Sequence, residues 1–124
     1  MRRSSCFVLV TLAAALIGDT VAAAHSFPTR ETPAAGQTLH AAPAAVVIRY
    51  DAPIEKLFAR LQVIGPDGQS VTEAPPEVSA DGYTLSAKLG ALKPGVYRVQ
   101  WMVTCIDTHR TEGSYRFILA PPAS

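Results

Sequence analysis

Three histidines, two cysteines and two methionines are the only imidazole and sulfur donors in this sequence of 124 residues. None of the histidines stands in a His-Glu-x-x-His helix motif, and there is no Cys-x-x-Cys. Gly-x-Ser-x-Gly is absent, as is a glycine-rich phosphate loop, so hydrolase and nucleotide chemistry have no motif to rest on. An excess of one charge is missing too: 11 basic residues face 10 acidic ones. That balance excludes a disordered acidic or basic tail and the basic footprint of a nucleic-acid-binding protein. No repeat of solenoid length is visible. Ten Pro and eight Gly argue against a helical bundle and suit a chain of many turns. The one long apolar run, residues 6–17, is shorter than the ~20 residues a membrane-spanning helix needs.

That run reads instead as part of a secretory signal. Arg2 and Arg3 precede it and Ala22-Ala23-Ala24 follows it, which gives a positive start, an apolar middle and a small-residue cleavage site. Residues 1–24 are therefore expected to be a signal peptide cut after Ala24, with His25 as the new N-terminus and 25–124 as one domain. Phe7 stands too far from the arginines for a twin-arginine signal. Cys6 opens the apolar run rather than closing it, so lipidation is not expected. The mature chain keeps nine basic and nine acidic side chains. It also keeps a single cysteine, Cys105, so no internal disulfide can form. A domain of this size buries roughly two-thirds of its unfolded surface, enough for a core that stands on packing in an oxidising compartment.

Short runs of strand character follow an extended, Pro- and Ala-rich arm over 25–43, which has room for one short edge strand. Val46 to Tyr50 is β-branched and apolar. Residues 57–64 alternate, with Leu57, Ala59, Leu61 and Val63 on one face, although one turn of helix over 53–59 is an alternative. Gly65-Pro66-Asp67-Gly68 is a turn, and Val71 begins a short strand at most. Residues 83–89, 95–105 and 113–119 are the remaining strands. In 95–105 the face of Tyr97, Val99, Trp101, Val103 and Cys105 is apolar at a period of two, so Trp101 and Cys105 are expected to be core. Strands at intervals of about ten residues with turn signals between them predict an all-β fold, an immunoglobulin-like Greek-key β-sandwich or barrel of about seven strands. A Tyr just after Pro94-Gly95 predicts a tyrosine corner at Tyr97.

Two features can carry chemistry. A terminal His25 offers an α-amine and a ring Nδ1, which ordinarily titrate near 8 and near 6.5 and can chelate one metal together. Asp107-Thr108-His109 places two donors at an i, i+2 spacing, which on extended backbone sends both to one side. Nitrogen and carboxylate donors with a tetragonal preference suit Cu(II). From residue types alone, an Asp and a His satisfied in a surface loop is the commoner case.

Three stretches resemble the CopC family of periplasmic copper-binding proteins. The opening His25-Ser26-Phe27-Pro28-Thr29-Arg30-Glu31-Thr32-Pro33-Ala34-Ala35-Gly36 is similar to its His-x-x-x-x-x-Ser-x-Pro-Ala-x-Gly start. The segment Leu92 to Trp101 is similar to its L-x-x-G-x-Y-x-V-x-W strand. Asp107-Thr108-His109, followed by Gly113 and Phe117, is similar to its D-x-H-x-x-x-G-x-x-x-F ending. The resemblance implies a Cu(II) site formed by His25, Asp107 and His109, and a carrier or buffer role in copper homeostasis or resistance. It also implies a periplasmic monomer that hands copper to a CopD-like inner-membrane transporter.

Four departures stand out. Glu31 takes the place of a family Ser. A family Glu near the copper is missing or displaced to Asp51. Met102 is the one methionine of 25–124, so no separate Cu(I) site is expected. Cys105, where the family has a small polar residue, is either a buried small hydrophobe or a thiolate within reach of copper. His40 is expected in an exposed turn. Two other functions compete: a terminal-His copper monooxygenase-like enzyme, and a metal-free immunoglobulin-like interaction module.

Overall fold

The structure is a computed structural model and describes residues 26–122. The signal peptide assigned to 1–24, and His25, lie outside the described residues. Eight strands form two sheets and no helix occurs among the described residues. One sheet has the order β1 (Pro28–Thr32), β3 (Ala45–Tyr50), β6 (Thr84–Lys88), β5 (Glu77–Val78). The other has the order β2 (Thr38–Leu39), β8 (Arg110–Leu119), β7 (Gly95–Thr104), β4 (Arg60–Ile64). The chain passes between the sheets after β1, β2, β3, β4 and β6, which gives the crossed connections of a Greek-key sandwich. Every pairing is antiparallel except the short β2–β8 contact, which is parallel. Eight strands replace the expected seven because the arm supplies both β1 and the two-residue β2.

The period-two pattern decides which side chains meet between the sheets. Val46, Ile48 and Tyr50 from β3 are buried against Val99, Trp101 and Val103 from β7 and Tyr115, Phe117 and Leu119 from β8. Burial of side chains of this size stabilises the fold by about 1.5–3 kcal/mol each. Tyr97 stacks on Phe117 at 5.2 Å between ring centroids. Its hydroxyl donates to the Lys93 carbonyl, the tyrosine corner anticipated from Pro94-Gly95. Trp101 is core, 8% exposed, and meets Tyr50 edge-on at 5.6 Å. Gly113 faces it across the β7–β8 ladder, and a Cβ there would come 2.6 Å from the indole Cζ2. The family-like Gly four residues after His109 is thus a packing requirement of Trp101.

Three sequence expectations change. The short strand begun at Val71 is reduced to isolated bridges at Ser70 and Thr72, and β5 forms beyond Pro75-Pro76 instead. The strand expected over 57–64 begins only at Arg60, and Leu57 is 88% exposed rather than inward. Alternation ran through the loop because Ile54 and Glu55 are pinned to the end of β7, Ile54 by a bridge to Cys105 and Glu55 N–H by a bond of 2.8 Å to the Thr104 carbonyl. This leaves 56–59 as a turn, and the single helical turn does not form. The last strand begins at Arg110, not 113, because the ten-residue β7 pairs with it as far as Thr104–Arg110. At 65–68 the predicted turn closes with a 3.0 Å bond from Gly68 N–H to the Gly65 carbonyl, and Gly68 takes φ +80°.

Glu31 pairs with Ile48 in register and so faces inward, toward Tyr50 and Tyr115. Both phenol hydroxyls are buried with no hydrogen-bond partner among the described residues, and burial followed by the Glu31 charge pushes their pKa values up. Burial likewise raises the Glu31 carboxyl above its ordinary value. An acid whose folded pKa is raised favours the fold while protonated, and that contribution is lost as pH rises through the folded value. Glu31→Gln should therefore raise Tm by a few degrees near neutral pH and change nothing well below the carboxylate range. Thermal unfolding at the two pH values checks this; an equal shift at both would contradict it.

Candidate metal centre

The end of the sandwich where β1 starts, β3 ends and β7 turns into β8 collects the candidate donors. The β7–β8 connection is a three-residue hairpin, Ile106-Asp107-Thr108, closed by Thr108 N–H to the Cys105 carbonyl at 2.9 Å and by Cys105 N–H to the His109 carbonyl at 2.8 Å. Loops of this length pair a type I turn with a left-handed residue. Thr108 is that residue, at φ +76°. A β-branched side chain is rare in this region, where Gly costs nothing.

The turn brings Asp107 and His109 together. One Asp107 oxygen lies 3.3 Å from His109 Nδ1, and the other accepts the His109 backbone N–H at 3.4 Å. Both side chains are well exposed, at 61% for His109 and 41% for Asp107. Their convergence comes from the turn rather than from the extended i, i+2 geometry expected of the sequence. Desolvation alone would lift the Asp107 carboxyl. Hydrogen bonds from the His109 ring and backbone, the His109 charge and the Cys105 thiol outweigh it and hold the carboxyl below its usual value. At neutral pH Asp107 is therefore an anion, the form a metal ligand needs.

Beside this turn the first described residue is locked in place. Ser26 is fully buried. Its N–H donates to Cys105 Sγ at 3.0 Å, and its carbonyl accepts the Thr111 hydroxyl at 2.7 Å. Its own hydroxyl reaches the carbonyls of Ala52 and Pro53, each at 3.3 Å. Next to it, Phe27 and Asp51 are bonded both ways: Phe27 N–H to Asp51 Oδ1 at 2.8 Å and Asp51 N–H to the Phe27 carbonyl at 3.0 Å. The Asp51 carboxylate thus holds the backbone that leads into β1.

Of the three residues singled out as ligands, the structure brings Asp107 and His109 together, and His25 lies outside the described residues. Among the described residues no group of three or more His, Cys, Asp or Glu could hold a metal. Cys105 is buried, as its parity with Trp101 indicated, and His40 is exposed. Sequence reasoning missed Ser26 and Thr111. One signal was available: Thr111 pairs with Val103, so it is a polar residue at an inward strand position, where burial demands a hydrogen-bond partner.

A small two-sheet β-domain that presents a carboxylate and an imidazole from one hairpin, beside the anchored entry to its first strand, is the class defined so far. Residues 29–120 match the CopC domain, and the chain belongs to that family. It is 32% identical over 117 residues to Protein YobA of Escherichia coli K12, covering 93% of this chain and 94% of that one. It is 27% identical to the copper transport protein CutJ of Bacillus subtilis, but matches only 22% of that longer protein. Among solved structures, CopC from Methylosinus trichosporium OB3b superposes with a TM-score of 0.74 at 26% identity, over 81% of this chain and 98% of the other. The methionine-rich copper resistance protein PcoC from Escherichia coli shares the fold, with a TM-score of 0.66 at 23% identity over 77% and 99% of the two chains. The family is one of copper-binding, non-enzymatic proteins, so the monooxygenase alternative drops out.

The left-handed Thr108 generates a prediction. A non-glycine residue in this region costs roughly 1–2 kcal/mol, and Gly gives back part of that gain through its freedom in the unfolded chain. Thr108→Gly should stabilise the protein by about 1 kcal/mol, or at least about 4 °C in Tm for a domain of this size. Circular dichroism melting measures it; a fall in Tm would show that Thr108 makes contacts worth more than its backbone cost.

Proposed function

We propose that this chain is a periplasmic Cu(II) carrier or buffer, exported with removal of residues 1–24, that serves copper homeostasis or resistance. The copper ion is cargo. Its ligands are the α-amine and ring nitrogen of His25, the Asp107 carboxylate and the His109 imidazole, a nitrogen-rich set with one anion that suits tetragonal Cu(II). The domain acts as a monomer and delivers the ion to a CopD-like inner-membrane transporter. The relatives support the copper reading: one is named a copper transport protein and another a copper resistance protein.

The observation that carries the reading is the seating of Ser26. Its N–H lies 3.0 Å from Cys105 Sγ, and Cys105 closes the hairpin that holds Asp107 and His109. Ser26 is thereby seated beside the hairpin that carries Asp107 and His109. The locked Ser26 also lowers the ordering cost of bringing a terminal donor to the metal.

One added residue tests the chelate. A Gly ahead of His25 turns the amine into an amide while leaving every described contact intact. The expected result is a loss of Cu(II) affinity of at least roughly a hundredfold, the upper end of what outer-shell changes alone cost, with Tm of the copper-free protein unchanged. Competition titration against a chelator of known strength measures it. Equal affinity of the two forms would remove the terminal amine from the site.

A further inference from the structure

The outer face of the β4–β7–β8 sheet carries charge that the copper site does not use. Arg98 and Arg116 stand directly opposite each other in the β7–β8 register, both exposed. Like charges opposed in this way are destabilising. The ion pair among the described residues is His109–Asp107, so none relieves these two guanidinium groups. The rows on either side are neutral: Gln62, Gln100 and Ser114 on one, Val96 and Ile118 on the other. The acid of this face, Glu112, is four residues along β8 from Arg116, roughly 13 Å away. Arg60 and Arg110 add two more cations toward the hairpin end. The face therefore carries a net charge of +3, on a mature chain whose charges cancel.

The other sheet offers a contrast. Arg30 and Arg49 are also opposed there, but Arg49 lies 5.3 Å over the Tyr83 ring and shares charge with Asp81. Relief is supplied within the fold at that pair, whereas at Arg98–Arg116 it must come from outside. Guanidinium groups pair bidentately with phosphate oxygens. Beside the arginines, Val96 and Ile118 are exposed at 49% and 38% and lie side by side in register. The outward residues of β4, β7 and β8 include no aromatic side chain, which is unlike the anchor of a protein interface.

We propose that this sheet face docks on an anionic phospholipid surface, with Arg98 and Arg116 on the phosphates and Val96 and Ile118 at the headgroup boundary. The strands would lie along the bilayer and leave the β7–β8 hairpin at one edge, facing sideways. A domain held this way searches for a membrane partner in two dimensions. The proposal does not rest on the copper reading and is tested without copper.

The test is cosedimentation of the copper-free protein, in the form the cell exports, with phosphatidylglycerol-containing vesicles and with pure phosphatidylcholine vesicles. Binding is expected to the first and not the second, and to weaken as salt shortens the reach of exposed charges. Each arginine near an anionic surface contributes about fivefold, so Arg98→Gln/Arg116→Gln should bind roughly thirtyfold more weakly. Arg30→Gln/Lys88→Gln removes the same charge from the other sheet and should bind like the parent. Equal binding to both vesicle types, equal loss in both double variants, or no vesicle binding would overturn the proposal. No vesicle binding together with retention on an immobilised polyglutamate would assign the face to an acidic protein instead.

Discussion

The candidate site depends on the capture of one serine. Ser26 is taken out of water entirely, and its N–H, carbonyl and hydroxyl all find partners from three separate segments: Cys105 at the end of β7, Thr111 on β8, and the Ala52–Pro53 turn after β3. A buried residue with every polar group satisfied is held to one position, because each bond given up would leave an unpaired group costing about 1–3 kcal/mol. The sandwich thus fixes the entry to β1 against the hairpin. Cys105 matters here through its sulfur lone pair and its bulk, as a small buried acceptor.

The hairpin shows the complementary arrangement. Its backbone is closed by two hydrogen bonds and forced through a left-handed Thr108, while its side chains stand in solvent. Asp107 is held ionised by His109 and Cys105, so the carboxylate is ready to bind a cation without giving up a proton. A rigid frame beneath two exposed donors suits a cargo that must be both held and surrendered. A buried cage would hold an ion at the expense of release.

Much of the fold was legible because the long strands obey a period of two. The alternation of Tyr97, Val99, Trp101, Val103 and Cys105 gave their burial and the inward thiol without any structure, and Pro94-Gly95 gave the tyrosine corner. Gly113 was readable only as part of a resemblance, and its reason, the indole lying across it, needs the β7–β8 register. Leu57 misled because alternation continues into a loop whose path is set by Ile54 bridging to Cys105, a contact some fifty residues away in sequence. The start of β8 was hidden by Arg110, Thr111 and Glu112, polar residues that a long partner strand holds in the ladder regardless of propensity. The convergence of Asp107 and His109 was legible, but the turn that joins them and the serine lock beside them were not. The turn is made of backbone hydrogen bonds, and the lock pairs backbone groups with the Ser26, Cys105 and Thr111 side chains across distant segments, so neither pairing can be read from residue type.

The central claim is that the exported chain begins at His25 and that this residue completes a Cu(II) site with Asp107 and His109. The most direct test is Cu(II) electron paramagnetic resonance on naturally processed protein, with the N-terminus read by mass spectrometry on the same sample. The account predicts a mass beginning at His25 and a single tetragonal, nitrogen-rich signal that saturates at about one equivalent of copper. A chain beginning elsewhere, or copper bound only weakly and at several sites, would contradict it.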